Sequence, residues 1–205
     1  MGNDPGVPGL QAIVTEAREA LRDLWSFSDA ADRVPDQPGL YALHAGATTW
    51  CELGLGEPQD DRPLYIGKAE GSLVSRDLRT HFGDGRTGQS TLRRSFAALL
   101  HDTLGFRGIP RNTAKPDHFA RYGLSPAHDA ALTRWMGERL QLAVWPKPDA
   151  PAHGLGEVEV GLLAALQPPL NLQNVFTPWT AQVKAARAVM ADEARAWATR
   201  APLNA

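Results

Sequence analysis

The chain of 205 residues has one cysteine, Cys51, which excludes an internal disulfide and any zinc or iron–sulfur centre built from several thiolates. Its six histidines, at 44, 81, 101, 118, 128 and 153, include no pair four residues apart, so the helical HExxH zinc motif is missing. No apolar stretch approaches the roughly 20 residues that cross a bilayer. The opening MGNDPGVPG lacks the basic-then-apolar layout of a secretory signal. These absences imply a cytoplasmic protein with no membrane association. An excess of one charge is lacking too: the formal net charge is −2, against a general basic coat for nucleic acid.

What is present is asymmetric. Residues 1–36 carry seven acids against three arginines, whereas residues 68–94 set Lys68, Arg76, Arg79, Arg86, Arg93 and Arg94 against only Glu70, Asp77 and Asp84. A phosphate-facing patch within an acidic chain is one reading, and a solvated helix face the other. The length suits one domain with terminal helical additions.

Apolar residues at spacings of three and four predict a first helix over 10–26, with Ile13, Ala17, Leu21 and Leu24 inward. After the break 34-VPDQPG-39, GLYALHA reads as a strand, TTWCELGL as a second strand or hairpin arm, and LYIG as the next strand. Leu73, Val74, Leu78 and Phe82 predict a helix over 73–82, and Ser90 caps another through TLRRSFAALLHDTL. Residues 105–130, rich in glycine and proline, read as a basic, loop-rich insertion. A helix over 129–140, a strand over 140–146, a helix over 156–166 ended by Pro168-Pro169 and a packing helix over 179–200 complete the chain.

On the helix EVEVGLLAALQ, Glu159 shares a face with Leu162, Leu163 and Leu166, while Glu157 lies about 200° away. A carboxylate on an apolar stripe is costly unless paired or bound to a cation. Its company gives it meaning. Together 39-GLY-41, 65-YIG-67, the arginine-bearing segment that follows, Glu159 and 168-PPLN-171 resemble, in order, the GIY-YIG nuclease superfamily over residues 38–174.

The resemblance implies an α/β (α+β) domain: a central three-stranded antiparallel sheet, from strands near 38–44, 62–67 and 140–146, flanked by helices. It implies a division into an N-terminal helical extension (1–36), a nuclease-like domain (37–176) with the insertion at 105–130, and a C-terminal helix (177–205) packed on it. It further implies hydrolysis of DNA phosphodiesters with Mg²⁺ or Mn²⁺, and Glu159 as the sole protein ligand. Tyr41 and Tyr65 would flank the attacking water, one as general base or positioning group. A free phenol, with a pKa near 10, is a poor base at neutral pH, so a cation must favour the phenolate, and Lys68 is suitably placed in sequence. Arg76, with Arg79 as rival, would clamp the scissile phosphate, His81 would join the water network, and Asn171 would fix backbone near the metal. Arg79, Arg93, Arg94, Arg107 and Arg111 are the remaining nucleic-acid contacts expected.

Three functional readings stand at this point. The first is a metal-dependent DNA endonuclease, structure- or damage-directed, acting in repair, recombination, restriction or defence. Its substrate would be duplex, branched or damaged DNA, reached with a protein partner for targeting, because no separate recognition module is evident. The others are a non-cleaving or partner-activated DNA-binding module with the same fold, and a nuclease acting on RNA.

Overall fold

The computed structural model describes residues 9–58, 60–74, 83, 85–112, 114–149, 153–173 and 175–200. Its centre is a three-stranded antiparallel sheet of β1 (Gly39–Ala45), β2 (Tyr65–Ala69) and β3 (Leu140–Pro146), in the order β2-β1-β3. The first strand is thus the middle one, and GLYALHA has the composition for that place, with its first six residues buried. Side chains alternate across a strand. Leu40 and Ala42 join Ile66, Ala143 and Trp145 in one core; Tyr41 and Leu43 join Leu142 and Val144 in the other.

Two helices cover the first face. On α1 (Leu10–Ala20), Ile13, Val14 and Ala17 meet Val158 and Leu162 of α7 (Leu155–Leu166). The helices approach closely because Gly161 has no side chain: a Cβ there would lie 2.6 Å from Val14 Cγ2. The opposite face is covered by α4 (Thr91–Leu99), α6 (Pro126–Arg139) and α8 (Thr180–Arg200), which bury Phe96, Met136, Val183 and Met190. The remaining helices are α2 (Phe27–Arg33), α3 (Ala47–Glu52) and α5 (His101–Leu104). Among the described residues no helix is long and apolar enough to cross a membrane.

The structure corrects two expectations about local form. The first helix stops at Ala20 because Trp25 turns its backbone to β3, exchanging two hydrogen bonds with Leu142 (2.8 and 2.9 Å). A new helix, α2, then starts at a Ser26 cap whose hydroxyl accepts from Asp29 N–H. TTWCEL is helical, not a strand, since one turn of helix buries Thr49 and Trp50 together, and Trp50 packs edge-on against Trp179 at 5.8 Å. The helix expected over 73–82 lies, beyond Leu73 and Val74, outside the described residues.

The insertion at 105–130 is packed rather than loose. Ile109 and Gly123 pair across a β-bridge, Phe106 and Tyr122 are buried, and α6 already begins at Pro126. Its anchor is a buried ion pair. Arg93 Nη2 donates to Asp129 at 3.1 Å and to Thr133 Oγ1 at 2.9 Å, while Asp129 accepts from Thr87 N–H and hydroxyl and from Gly85 N–H. Loop, α4 and α6 are thereby held at one point, with both charges satisfied.

His44, at the far end of β1, is buried beside Leu21 and Leu166, with Arg18, Arg22 and Asp61 around a small void next to it. Burial pushes its imidazole down to about 4, against smaller opposing effects from a hydrogen bond to the Leu21 backbone and from Asp61. The unfolded chain therefore binds the proton more readily, and stability falls as pH drops through the window from about 6.5 to about 4. Denaturant titrations should show wild type losing about 1.5 kcal/mol between pH 6.5 and 5 from this group, and His44→Leu should lack that component.

Candidate nuclease site

β2 is an edge strand, and an edge exposes unpaired backbone groups. Asn171 closes it: its Oδ1 accepts from Ile66 N–H at 2.9 Å and its Nδ2 donates to Ile66 C=O at 2.8 Å. Leu170 N–H adds a bond to Leu64 C=O at 3.0 Å. The chain reaches this edge directly from α7, which ends at Gln167 in the left-handed region (φ 46°), where Pro168 and Pro169 forbid a further turn. α7 is thus carried past the free side of β2, and a cleft of about 440 Å³ opens there.

Among the described residues five segments line the cleft, the stretch 170–173 that carries Asn171 being one. Tyr65 comes from the start of β2 and Glu159 from α7. Thr91 stands at the first position of α4, and Arg187 on α8. Tyr41 lies one strand further in, fully buried, its ring 6.0 Å from that of Tyr65 and tilted by 44°. Register places Tyr41 opposite Gly67, and the phenol lies across that glycine: a Cβ on residue 67 would sit 2.2 Å from Tyr41 Cζ. The glycine of YIG is therefore the floor on which the tyrosine of GLY rests.

Glu159 is half-buried, and no hydrogen bond or ion pair ties its carboxylate to a described residue. Burial pushes its carboxyl above the ordinary range, the Lys68 ammonium pulls it down, and Glu70 adds to the rise. Lys68 forms an ion pair with Glu70 at 2.8 Å and lies near Gly156 on α7, one turn before Glu159. Residues 65 and 68 alternate across β2, and Lys68 stands on the side of α7, where its charge reaches the Glu159 carboxylate.

The donor set suits a hard cation bound through few protein oxygens. Among the described residues none hydrogen-bonds or pairs with the Glu159 carboxylate, whereas both polar atoms of the Asn171 amide are used by Ile66. Among the described residues no three His, Cys, Asp or Glu side chains cluster, and Mg²⁺ needs no such cluster when it keeps most of its waters.

The remaining expectations divide. Arg76, Arg79 and His81 lie outside the described residues. Arg93 was expected to reach nucleic acid and does not, because its side chain is 0% exposed and spent on Asp129, Thr133 and Thr87. Arg94 is also buried, donating to Gly88 C=O at 3.0 Å and Thr91 Oγ1 at 3.1 Å, and so has no direct route to a ligand. Arg107 is tied to Glu193 at 3.5 Å and to the Phe106 carbonyl at 2.8 Å, although half of it stays in solvent. Arg111 is exposed, its stem folded over Gly88. Arg187 was missed, since the periodicity of the last helix gave no reason to single out one arginine.

Over residues 55–188 the chain matches the model of the GIY-YIG catalytic domain. The chain belongs to the GIY-YIG family, and a domain of this family is a nuclease, a hydrolase whose substrate is nucleic acid and whose members generally depend on a divalent metal. Neither a curated protein nor a solved structure matches the chain.

Gly67→Ala should force the Tyr41 ring off its seat. Overpacking of this kind costs about 1–3 kcal/mol, and denaturant unfolding should register it. Phosphodiester cleavage should fall further than the loss of folded protein explains. Unchanged stability and activity would show that the strand does not need a glycine there.

Proposed function

We propose that this protein is a divalent-metal-dependent endonuclease that hydrolyses DNA phosphodiester bonds. The observation that carries the proposal is the convergence of Glu159 and Tyr65 on one cleft, the carboxylate half-buried and in no hydrogen bond or ion pair with a described residue. Glu159 would hold Mg²⁺ or Mn²⁺, and the cation would supply polarisation of the phosphate and neutralisation of its developing charge.

The chain's own residues do the rest. Tyr65 presents its hydroxyl to the cleft and would orient the attacking water by hydrogen bonding at Oη; it would take the water's proton there only as the phenolate, which nearby positive charge favours. Tyr41, buried behind it, fixes the Tyr65 ring and does not itself meet solvent. Lys68 keeps the Glu159 carboxyl ionised by its charge, and Asn171 fixes the backbone beneath Tyr65. Arg76 is proposed as the clamp on the scissile phosphate, with Arg79 as the rival, and His81 as a member of the water network. Residues 37–176 form the nuclease-like unit in this reading, with 1–36 as its helical extension; the helix in 177–205 contributes a wall of its cleft through Arg187.

With a net charge of −2, long-range attraction to plain duplex is weak, which favours targeting by DNA shape, by damage or by a protein partner. The working compartment is proposed to be the cytoplasm. Glu159→Gln tests the site. It should abolish Mg²⁺- or Mn²⁺-dependent nicking across linear, flapped, branched and damaged DNA. Because burial disfavours the Glu159 carboxylate, the same change should raise the melting temperature at pH 7. Nicking at the wild-type rate by Glu159→Gln would remove the carboxylate from the mechanism. Cleavage of RNA alone in the same panel would replace the DNA assignment.

A further inference from the structure

The wall of the cleft opposite Glu159 carries a group of arginines that the nuclease reading leaves unused. Arg187 on α8 and Thr91 at the start of α4 both line the cleft. Arg94 lies directly behind Thr91, donating to its Oγ1 at 3.1 Å, and its own Nε is buried without a partner. Arg94 also donates to Gly88 C=O, and the Arg111 stem folds over the same glycine. Tyr122, next to Arg121 in sequence, closes the group by donating its hydroxyl to the Arg94 carbonyl at 2.6 Å.

These groups are arranged for an anion. Burial and the charges of Arg187, Arg121 and Arg111 push the Arg94 guanidinium down to about 10, with no carboxylate of the described residues among the causes. Arg187 forms no ion pair with a described carboxylate; its guanidinium is hydrogen-bonded to the Tyr122 hydroxyl and stands near that of Arg94, which leaves its positive charge uncompensated. The Thr91 oxygen accepts from Arg94, so its hydroxyl proton is directed away from Arg94 and can be donated into the cleft. A cationic group in a recess, together with a hydroxyl donor, is matched to a phosphate.

We propose that Arg187 and Thr91 form a second phosphate subsite, which holds a backbone phosphate of the DNA strand beside the one that is cut. The inference rests on the nuclease reading, because it takes the strand to run through the same cleft. Arg94 is a positioning residue: it sets the Thr91 hydroxyl and adds charge from beneath, and does not touch the strand. The site aligns the strand by charge and carries no base information.

The test measures binding of a fluorescent duplex oligonucleotide in Mg²⁺ across a salt series, with Glu159→Gln as the non-cutting parent. Adding Arg187→Gln should weaken binding several-fold and lower the slope of log K against log salt by about 0.9, the value for one phosphate contact. Arg187→Lys should restore the slope, and Thr91→Val should weaken binding with the slope unchanged. Arg134→Gln, an exposed charge that does not line the cleft, should leave both quantities at the parent values. Parent affinity and slope in Arg187→Gln would overturn the subsite, as would equal loss in Arg134→Gln. A parent that binds no duplex would overturn the subsite, whereas a parent that still cuts would strike the role of Glu159 and leave the binding comparison standing.

Discussion

The site depends on two hydrogen bonds between the Asn171 side chain and the Ile66 backbone. A primary amide is the one short side-chain group with a donor and an acceptor side by side, so it can imitate a neighbouring strand for a single residue. Asp would offer only acceptors, and Gln would place the same pair one methylene further out. By doing so Asn171 ends the sheet at β2 without a further strand and fixes the chain that descends from α7. Tyr65 and Glu159 share a cleft because this clasp sets the separation of their elements.

The motif glycines serve close approach rather than turns. A Cβ at Gly39 would lie 2.6 Å from the Trp145 carbonyl and 2.8 Å from Leu73 Cδ1, and one at Gly67 would fall inside the Tyr41 ring. Neither glycine is among those with positive φ. Both sit in strands where a neighbour's bulk needs the space. The two tripeptides are therefore one packing unit, in which the tyrosine of the first is seated by the glycine of the second, with the second tyrosine stacked beside it. Removal of Gly67 would act on the site through the position of the Tyr41 phenol, whereas removal of Gly39 would press on the β3 backbone and on Leu73.

Elements whose burial follows a simple period were legible in the sequence. β1 and β3 fall within one residue of the expected bounds, and α7 ends where Pro168-Pro169 required. What failed was exposure. A basic residue two positions into a helix carries no mark of whether it faces solvent, and Arg93 is buried only because Asp129, 36 residues away, meets it there. Trp50 likewise looked like strand hydrophobicity until Trp179 supplied a partner across the core. For Lys68, strand alternation adds what adjacency in sequence does not carry, a place on the α7 side near Glu159. Glu159 and Tyr65 were legible as a pair only through the family pattern, and Arg187 through neither pattern nor period.

Two departures from electrostatic economy stand on opposite walls of one cleft. Glu159 is a carboxylate pushed up by burial, and Arg94 behind Thr91 is a guanidinium pushed down by burial and by other arginines. A fold shaped by stability alone would bring the opposite charges together, as it does with Arg93 and Asp129 in the same region of the molecule. Here they are held apart by α4 and α7, and among the described residues neither forms an ion pair, Glu159 feeling the Lys68 charge only at a distance. Local rules broken in this paired way mark a site rather than a fault in packing. A cation on one wall and a phosphodiester on the other would relieve both at once, which is how a protein of nearly balanced charge would hold a polyanion in this cleft.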